Sequence, residues 1–208
     1  MDSDAPDYII PMGTALINAR TSYLSNVNNA ADCYTNDANS DWIGSENIIN
    51  YNLLERDGTH VSYELGRYIT GAGVFGYIYE LYQDQLLGGE DVNFCDALKT
   101  GPETTGRETW KGEFTDSIWN ITKETVRNTV NNPYQITASQ YTVDPADAMA
   151  DTVKNASYPT FTKAGIVNTI KSLGNGFTVT EDDVTISGNT ATVRFLYGYT
   201  EKTVTITK

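Results

Sequence analysis

The stretch Glu55-Arg56-Asp57-Gly58-Thr59-His60-Val61-Ser62-Tyr63-Glu64-Leu65-Gly66-Arg67-Tyr68 decides how the chain is read, because it joins a polar turn to the strongest helical pattern in the sequence. From Val61 onward, Leu65, Tyr68, Ile69, Ala72, Phe75, Ile78, Leu81 and Tyr82 recur on one face of a helical period. Ser62 is placed to cap the start of this helix, and Gly88-Gly89 to end it. Glycines 66, 71, 73 and 76 lie inside it. Each costs about 1 kcal/mol against alanine in a helix, so their density predicts close packing, here expected against a sheet.

Upstream, Ile48 to Leu54 reads as a short strand leading into the turn, and Asn26 to Asn47 as a long, aperiodic surface loop of the kind that often carries function. Before that, Tyr8-Ile9-Ile10-Pro11 reads as a buried strand, and Gly13 to Ser25 as a helix through Leu16, Ile17, Ala19, Tyr23 and Leu24. Downstream, a polar connection from Glu90 to Asp116 precedes an amphipathic helix over Ser117–Asn131, stopped by Asn132-Pro133. Helices follow from Asp144-Pro145 to Asn155 and from Thr162 to Leu173. The period then switches to two, in Phe177–Val179, Val184–Ile186, Ala191–Phe195 and Val204–Ile206, with tight turns at Ser187–Thr190 and Gly198–Glu201. This pattern places an α/β portion at 1–140 and a small α+β module with an antiparallel sheet at 141–208.

Composition narrows the function classes. The 208 residues carry 14 basic and 27 acidic side chains, a formal charge of −13 with a pI near 4.3. Such a chain repels phosphate backbones and anionic lipid, which argues against nucleic acid and acidic membranes as partners. No apolar run reaches the length of a membrane helix, and Met1-Asp2-Ser3-Asp4 is acidic where a signal peptide is basic. With one histidine and only Cys33 and Cys95, a Cys/His metal cluster is not expected, nor any cofactor, while one disulfide stays open. Low cysteine content with a Tyr-, Asn- and Thr-rich surface suggests an extracellular or cell-envelope location in a bacterium.

Any imidazole chemistry in this chain must use His60. Asp57, three residues earlier in a glycine-containing turn, can reach back to Nδ1–H of the ring. That bond fixes the tautomer, leaves Nε2 as a proton acceptor and stabilises the imidazolium formed when a nucleophile is deprotonated. Asp57-Gly58-Thr59-His60-Val61-Ser62, continuing to Leu65-Gly66-Arg67-Tyr68, resembles the closing Asp-x-x-His block of the SGNH (GDSL-type) hydrolases, specifically a bacterial branch of SGNH-like proteins. Ile10-Pro11-x-Gly13-Thr14-Ala15-x-x-Asn18-Ala19-Arg20 is similar to that branch's last strand and helix before the block. The resemblance implies a flavodoxin-like three-layer α/β fold, here as its C-terminal half. It also implies hydrolysis of a small-molecule or glycan ester, often an acetyl ester, with His60 as general base and Asp57 as its orienting acid.

The likeness covers Tyr8 to about Tyr82 and excludes the tail. The family's Gly-Asp-Ser block and the glycine and asparagine of its oxyanion hole have no recognisable counterpart here; Ser3 and Thr35-Asn36-Asp37 lack the flanking glycines. A nucleophile would therefore come from a missing N-terminal half or a second chain, and the fragment alone should be nearly inactive. Arg56 and Arg67 flank the block as substrate-holding or simply solvated cations, and Trp42 in the long loop is either a sugar-stacking wall or a packing anchor. Glu181-Asp182-Asp183 lacks the alternation of a calcium loop and reads as a solvated turn. The competing readings are a noncatalytic extracellular surface or glycan-binding protein derived from the same fold, and a truncated product without independent role.

Overall fold

A computed structural model describes residues 10–25, 54, 61, 65–86 and 113–208. Over these the chain combines helices with one antiparallel sheet. The helices are α1 (Met12–Arg20), α2 (Leu65–Leu86), α3 (Asp116–Asn131), α4 (Pro145–Asn155) and α5 (Lys163–Ser172). The strands are β1 (Phe177–Thr178), β2 (Val184–Ser187), β3 (Thr190–Tyr197) and β4 (Thr200–Thr207).

The start of α1 corrects the first expectation. Ile10 is not in a strand and is 54% exposed, while Pro11 is buried and its carbonyl accepts from Ala15 N at 3.0 Å. Pro11 has no N–H to give a ladder, and its restricted φ suits the entry to a helix; Tyr8 and Ile9 lie outside the described residues. The helix then stops short of Ser25, because a run of hydroxyl side chains competes for its last carbonyls. Thr21 Oγ1 donates to Asn18 O and Ser22 Oγ to Ala19 O, both at 2.7 Å, and Ser25 Oγ donates to Arg20 O. A 3-10 turn over Tyr23–Ser25 follows.

The chain of contacts orients three helices. Tyr23 and Leu24 at the end of α1 share a core cluster with Leu65 and Ile69 at the start of α2 and with Ile118 and Ile121 at the start of α3. Farther along, Gly73 of α2 meets Ala15 of α1 and Thr129 of α3. So α1 runs antiparallel to α2 and α3. Among the described residues the glycine-rich helix packs against helices: a Cβ on Gly73 would lie 2.6 Å from Cβ of Ala15, a distance real side chains do not reach. Gly71, by contrast, faces open space. Gly71→Ala is therefore expected to stabilise the protein by about 0.5–1 kcal/mol through helix propensity. Gly73→Ala should destabilise it by about 1–3 kcal/mol through overpacking. Urea titration of the two variants measures both, and equal effects would contradict this packing. The Ser62 cap, the Gly88-Gly89 stop and most of the Ile48–Leu54 strand lie outside the described residues; Leu54 itself sits in a bend, fully buried in the same cluster.

Helix α3 forms as its sequence predicts. Thr115 caps it, accepting from Ile118 N, and Ile118, Ile121, Thr122, Thr125, Val126 and Thr129 make the buried stripe. After Pro133 the segment 137–141 is strapped across α1 and α3. Thr137 N donates to Asn18 Oδ1 at 2.8 Å and Ser139 N to Thr21 Oγ1 at 2.7 Å. The Glu124 carboxylate accepts from Ser139 Oγ and Gln140 N, and Tyr23 N donates to Tyr141 O at 2.9 Å. Thus the stretch around the expected boundary is fixed by side chains of the helices it crosses.

The tail follows its alternating pattern. Strand β3 is central: β4 pairs along one side, while β2 and the short β1 share the other. Gly188 and Gly198 both adopt φ of +59° at the first position of two-residue turns, which only glycine-like residues tolerate at low cost. Helices α4 and α5, capped by Asp144 and Thr162, cover one face and bury Val153, Ile166 and Ile170 against Phe177, Val184, Val193, Phe195 and Ile206.

Candidate functional site

The residues singled out for chemistry, Asp57 and His60, with Trp42 and Arg56 as substrate contacts, lie outside the described residues. So do Ser3, Thr35–Asp37, Cys33 and Cys95. Leu54 and Leu65, which flank that block in sequence, are both buried in one cluster with Tyr23, Leu24, Ile69, Ile118 and Tyr199.

Aromatic side chains crowd this end of the helices. Tyr68, one turn into α2, packs edge-on against Phe114 with ring centroids 5.3 Å apart, and Arg67 beside it is exposed. Burial pushes the Tyr68 phenol up to about 12. Burial likewise carries Tyr23 to about 12, opposed by its hydrogen bond with Ser117 and assisted by the charges of Asp144 and Tyr197. Both phenols are therefore neutral hydroxyls across the physiological range and not bases.

The sign of these shifts makes a stability prediction. A tyrosine whose folded value lies above its unfolded value of 10 holds its proton in the native state, so its contribution is complete below pH 10 and is lost as pH rises through about 12. For Tyr23 this amounts to about 2–3 kcal/mol. Urea titrations at pH 9 and pH 11.5 should show a steep loss that Tyr23→Phe reduces. An identical loss in that variant would remove Tyr23 as its source.

A second concavity lies where the tail meets the helices. It is a cleft of about 360 Å³ lined by Glu113, Lys171 and residues 174–180. Glu113 Oε2 accepts from Gly176 N at 3.0 Å, Glu113 N donates to Gly198 O at 3.0 Å, and Gly198 N donates to Gly176 O at 2.9 Å. With its one carboxylate committed to a backbone amide, this cleft is a joint between α3 and the two glycine turns. The sequence hid it: Glu113 belongs to a polar connection with no period, and only the Thr115 cap marks the helix that follows. Across the sheet, Asp183 accepts from Thr180 N and Oγ1 at 2.9 and 2.8 Å and pairs with Arg194 at 2.9 Å. Partial burial raises its carboxyl, but the Thr180 bonds and the Arg194 charge outweigh this and hold it below the usual range. The expected solvated turn is thus a 3-10 turn tied to β3. Among the described residues no group of His, Cys, Asp and Glu is arranged to hold a metal, and no helix is long and apolar enough to cross a membrane.

Comparison of the chain with protein-family models, curated proteins and solved structures found no match.

Proposed function

We propose that this chain carries the base-and-acid half of an SGNH-type serine ester hydrolase acting on a carbohydrate acyl or acetyl ester outside the cytoplasm. His60 is the general base, Asp57 orients it, and Arg56 and Trp42 contact the substrate. The helical part then belongs to the C-terminal half of the three-layer fold, and the nucleophilic serine and oxyanion donors come from a polypeptide that completes it.

The observation that supports this reading is that Leu54 and Leu65, which flank the Asp57-x-x-His60 block in sequence, are buried in one cluster, with α2 starting at Leu65. A base and its orienting acid need a fixed footing, because an imidazole held loosely spends little time aligned with the hydroxyl it deprotonates. The chain by itself should hydrolyse an aryl acetate no faster than buffer. Joined to an N-terminal SGNH half bearing the serine block, it should turn the ester over. If the joined protein folds and remains inert, while binding a glycan on an array, the noncatalytic reading replaces this one.

A further inference from the structure

The turn between α5 and β1 contains a chemically reactive pair. Leu173-Gly174-Asn175-Gly176-Phe177 holds the one Asn-Gly step in the 208 residues. In such a step the glycine nitrogen can attack the asparagine Cγ through a five-membered ring, with no Cβ of its own in the way. The fold demands glycine at this place: Gly176 has φ of +99°, and a Cβ there would lie 2.9 Å from Thr115 Cγ2 and 3.0 Å from Tyr197 Cε2. Asn175 is exposed, so its side-chain amide meets water, while Gly176 behind it is buried.

The attacking nitrogen is held. Gly176 N donates to Glu113 Oε2 at 3.0 Å, and Gly176 O accepts from Gly198 N at 2.9 Å. To react, the nitrogen has to lose its proton and swing toward Cγ. A carboxylate is too weak a base to remove a backbone amide proton outright, and losing that proton would set a second negative charge against the first. The swing is opposed by the two bonds that fix the glycine at its nitrogen and its carbonyl. Asn175 is therefore protected while the joint is closed and reactive when it opens.

We propose that Asn175-Gly176 is a self-modification site latched by Glu113. When the latch opens, Gly176 N gives its proton to solvent and bonds to Asn175 Cγ, the Cγ–Nδ2 bond breaks, and ammonia leaves a succinimide ring. One water then adds to a ring carbonyl. Cleaving the Cγ–N bond yields aspartate, and cleaving the original peptide bond yields isoaspartate, whose backbone runs through one extra carbon. The net change is one water taken up and one ammonia released, with nothing oxidised or reduced. Either product places a new carboxylate beside Glu113, and like charges oppose reclosure. The reaction thus loosens, irreversibly, the joint that fixes Gly198 and with it Tyr199 in the helical cluster. This goes beyond the proposed hydrolase and stands whether or not that reading holds.

The test follows the full chain and, as an unfolded reference, an acetylated and amidated peptide of residues 172–178, incubated side by side in mildly alkaline buffer. Mass spectrometry of digests reads aspartate and isoaspartate at position 175. The intact chain should convert at least about tenfold more slowly than the peptide, the scale of a hydrogen bond to a charged acceptor. Glu113→Ala, which frees Gly176 N–H, should convert about tenfold faster than the parent chain, and Glu113→Gln, which keeps an acceptor without the charge, should fall between them. Converted chain, separated by anion exchange, should show faster hydrogen exchange at the Gly198 amide than unconverted chain, and Asn175→Gln should show neither change. A parent chain that converts as fast as the peptide would overturn the proposal. So would a folded Glu113→Ala variant no faster than the parent, or converted chain whose Gly198 amide exchanges as before. Should Glu113→Ala not fold, Glu113→Gln and the parent chain decide by the same comparison.

Discussion

In the protein completed by a serine-bearing N-terminal half, His60→Ala is expected to lower kcat/KM for an aryl acetate by roughly a thousandfold or more, with the melting temperature almost unchanged. The magnitude follows from the role. Without a base the serine hydroxyl stays protonated and its oxygen is a poor nucleophile, so what survives is catalysis by the oxyanion donors and by binding. Asp57→Asn should cost less than full loss of the base but still about a thousandfold or more, because an amide can hold the ring in the wrong tautomer, with Nε2 protonated and unable to accept. Arg56→Ala and Trp42→Ala should behave differently, raising KM with kcat largely kept, as expected of groups that bind ground state and transition state alike. Leu54, next to the block in sequence, gives a further handle: Leu54→Ala opens a cavity in its cluster and should lower kcat beyond what its loss of stability explains. Steady-state kinetics of these variants, with denaturation curves as a control, separate the roles. Equal activity in the completed protein and its His60→Ala variant would leave the block a structural turn.

How much of this was legible beforehand depended on whether local pattern or long-range contact was decisive. The elements of the tail were legible, because alternation in Ala191-Thr192-Val193-Arg194-Phe195 and glycine at the first turn positions are both local signals, and Asp144-Pro145 and Thr162 are local caps; the exception is β4, which starts at Thr200 inside the stretch expected as a turn. Helix α3 was legible for the same reason. The partner of α2 was not: the glycines correctly announced a close approach, but whether a helix or a sheet supplies the opposing surface is a tertiary fact, and Ala15 decides it. The strand expected over Tyr8–Pro11 does not include Ile10 or Pro11, whose fixed φ serves helix entry as readily as it ends a strand. Of the candidate site, the residue types and spacing were readable from Asp57-Gly58-Thr59-His60, whereas the common burial of its sequence neighbours Leu54 and Leu65 required knowing that residues far apart in sequence, Tyr23, Ile118 and Tyr199 among them, meet them.

Tyr199 makes that last point testable. It sits in the turn between β3 and β4, yet it is only 2% exposed and belongs to the core of the helices rather than to the core under the sheet. Two neighbouring constraints hold the turn in place: Gly198 bridges Glu113 N and Gly176 O through its own carbonyl and amide, and Thr115 packs closely on it, with its Cγ2 3.3 Å from where a Cβ on Gly198 would stand. Truncating a fully buried aromatic removes its transfer free energy and leaves a cavity, so Tyr199→Ala should destabilise the protein by about 3–5 kcal/mol. Because the lost contacts bridge the sheet and the helices, the loss should appear in both at once. Urea unfolding followed by far-ultraviolet dichroism and, in a Trp42→Phe, Trp110→Phe background, by the fluorescence of Trp119 on α3 should give one transition with Tyr199 in place, shifted as a whole in the Tyr199→Ala variant. A small shift would mean the turn does not fill the helical core. Two separated transitions in the variant would show that Tyr199 is what couples the parts. By the same reasoning a chain cut at residue 140 loses a side chain of the cluster that holds Leu54 and Leu65, the residues flanking the proposed base and acid in sequence.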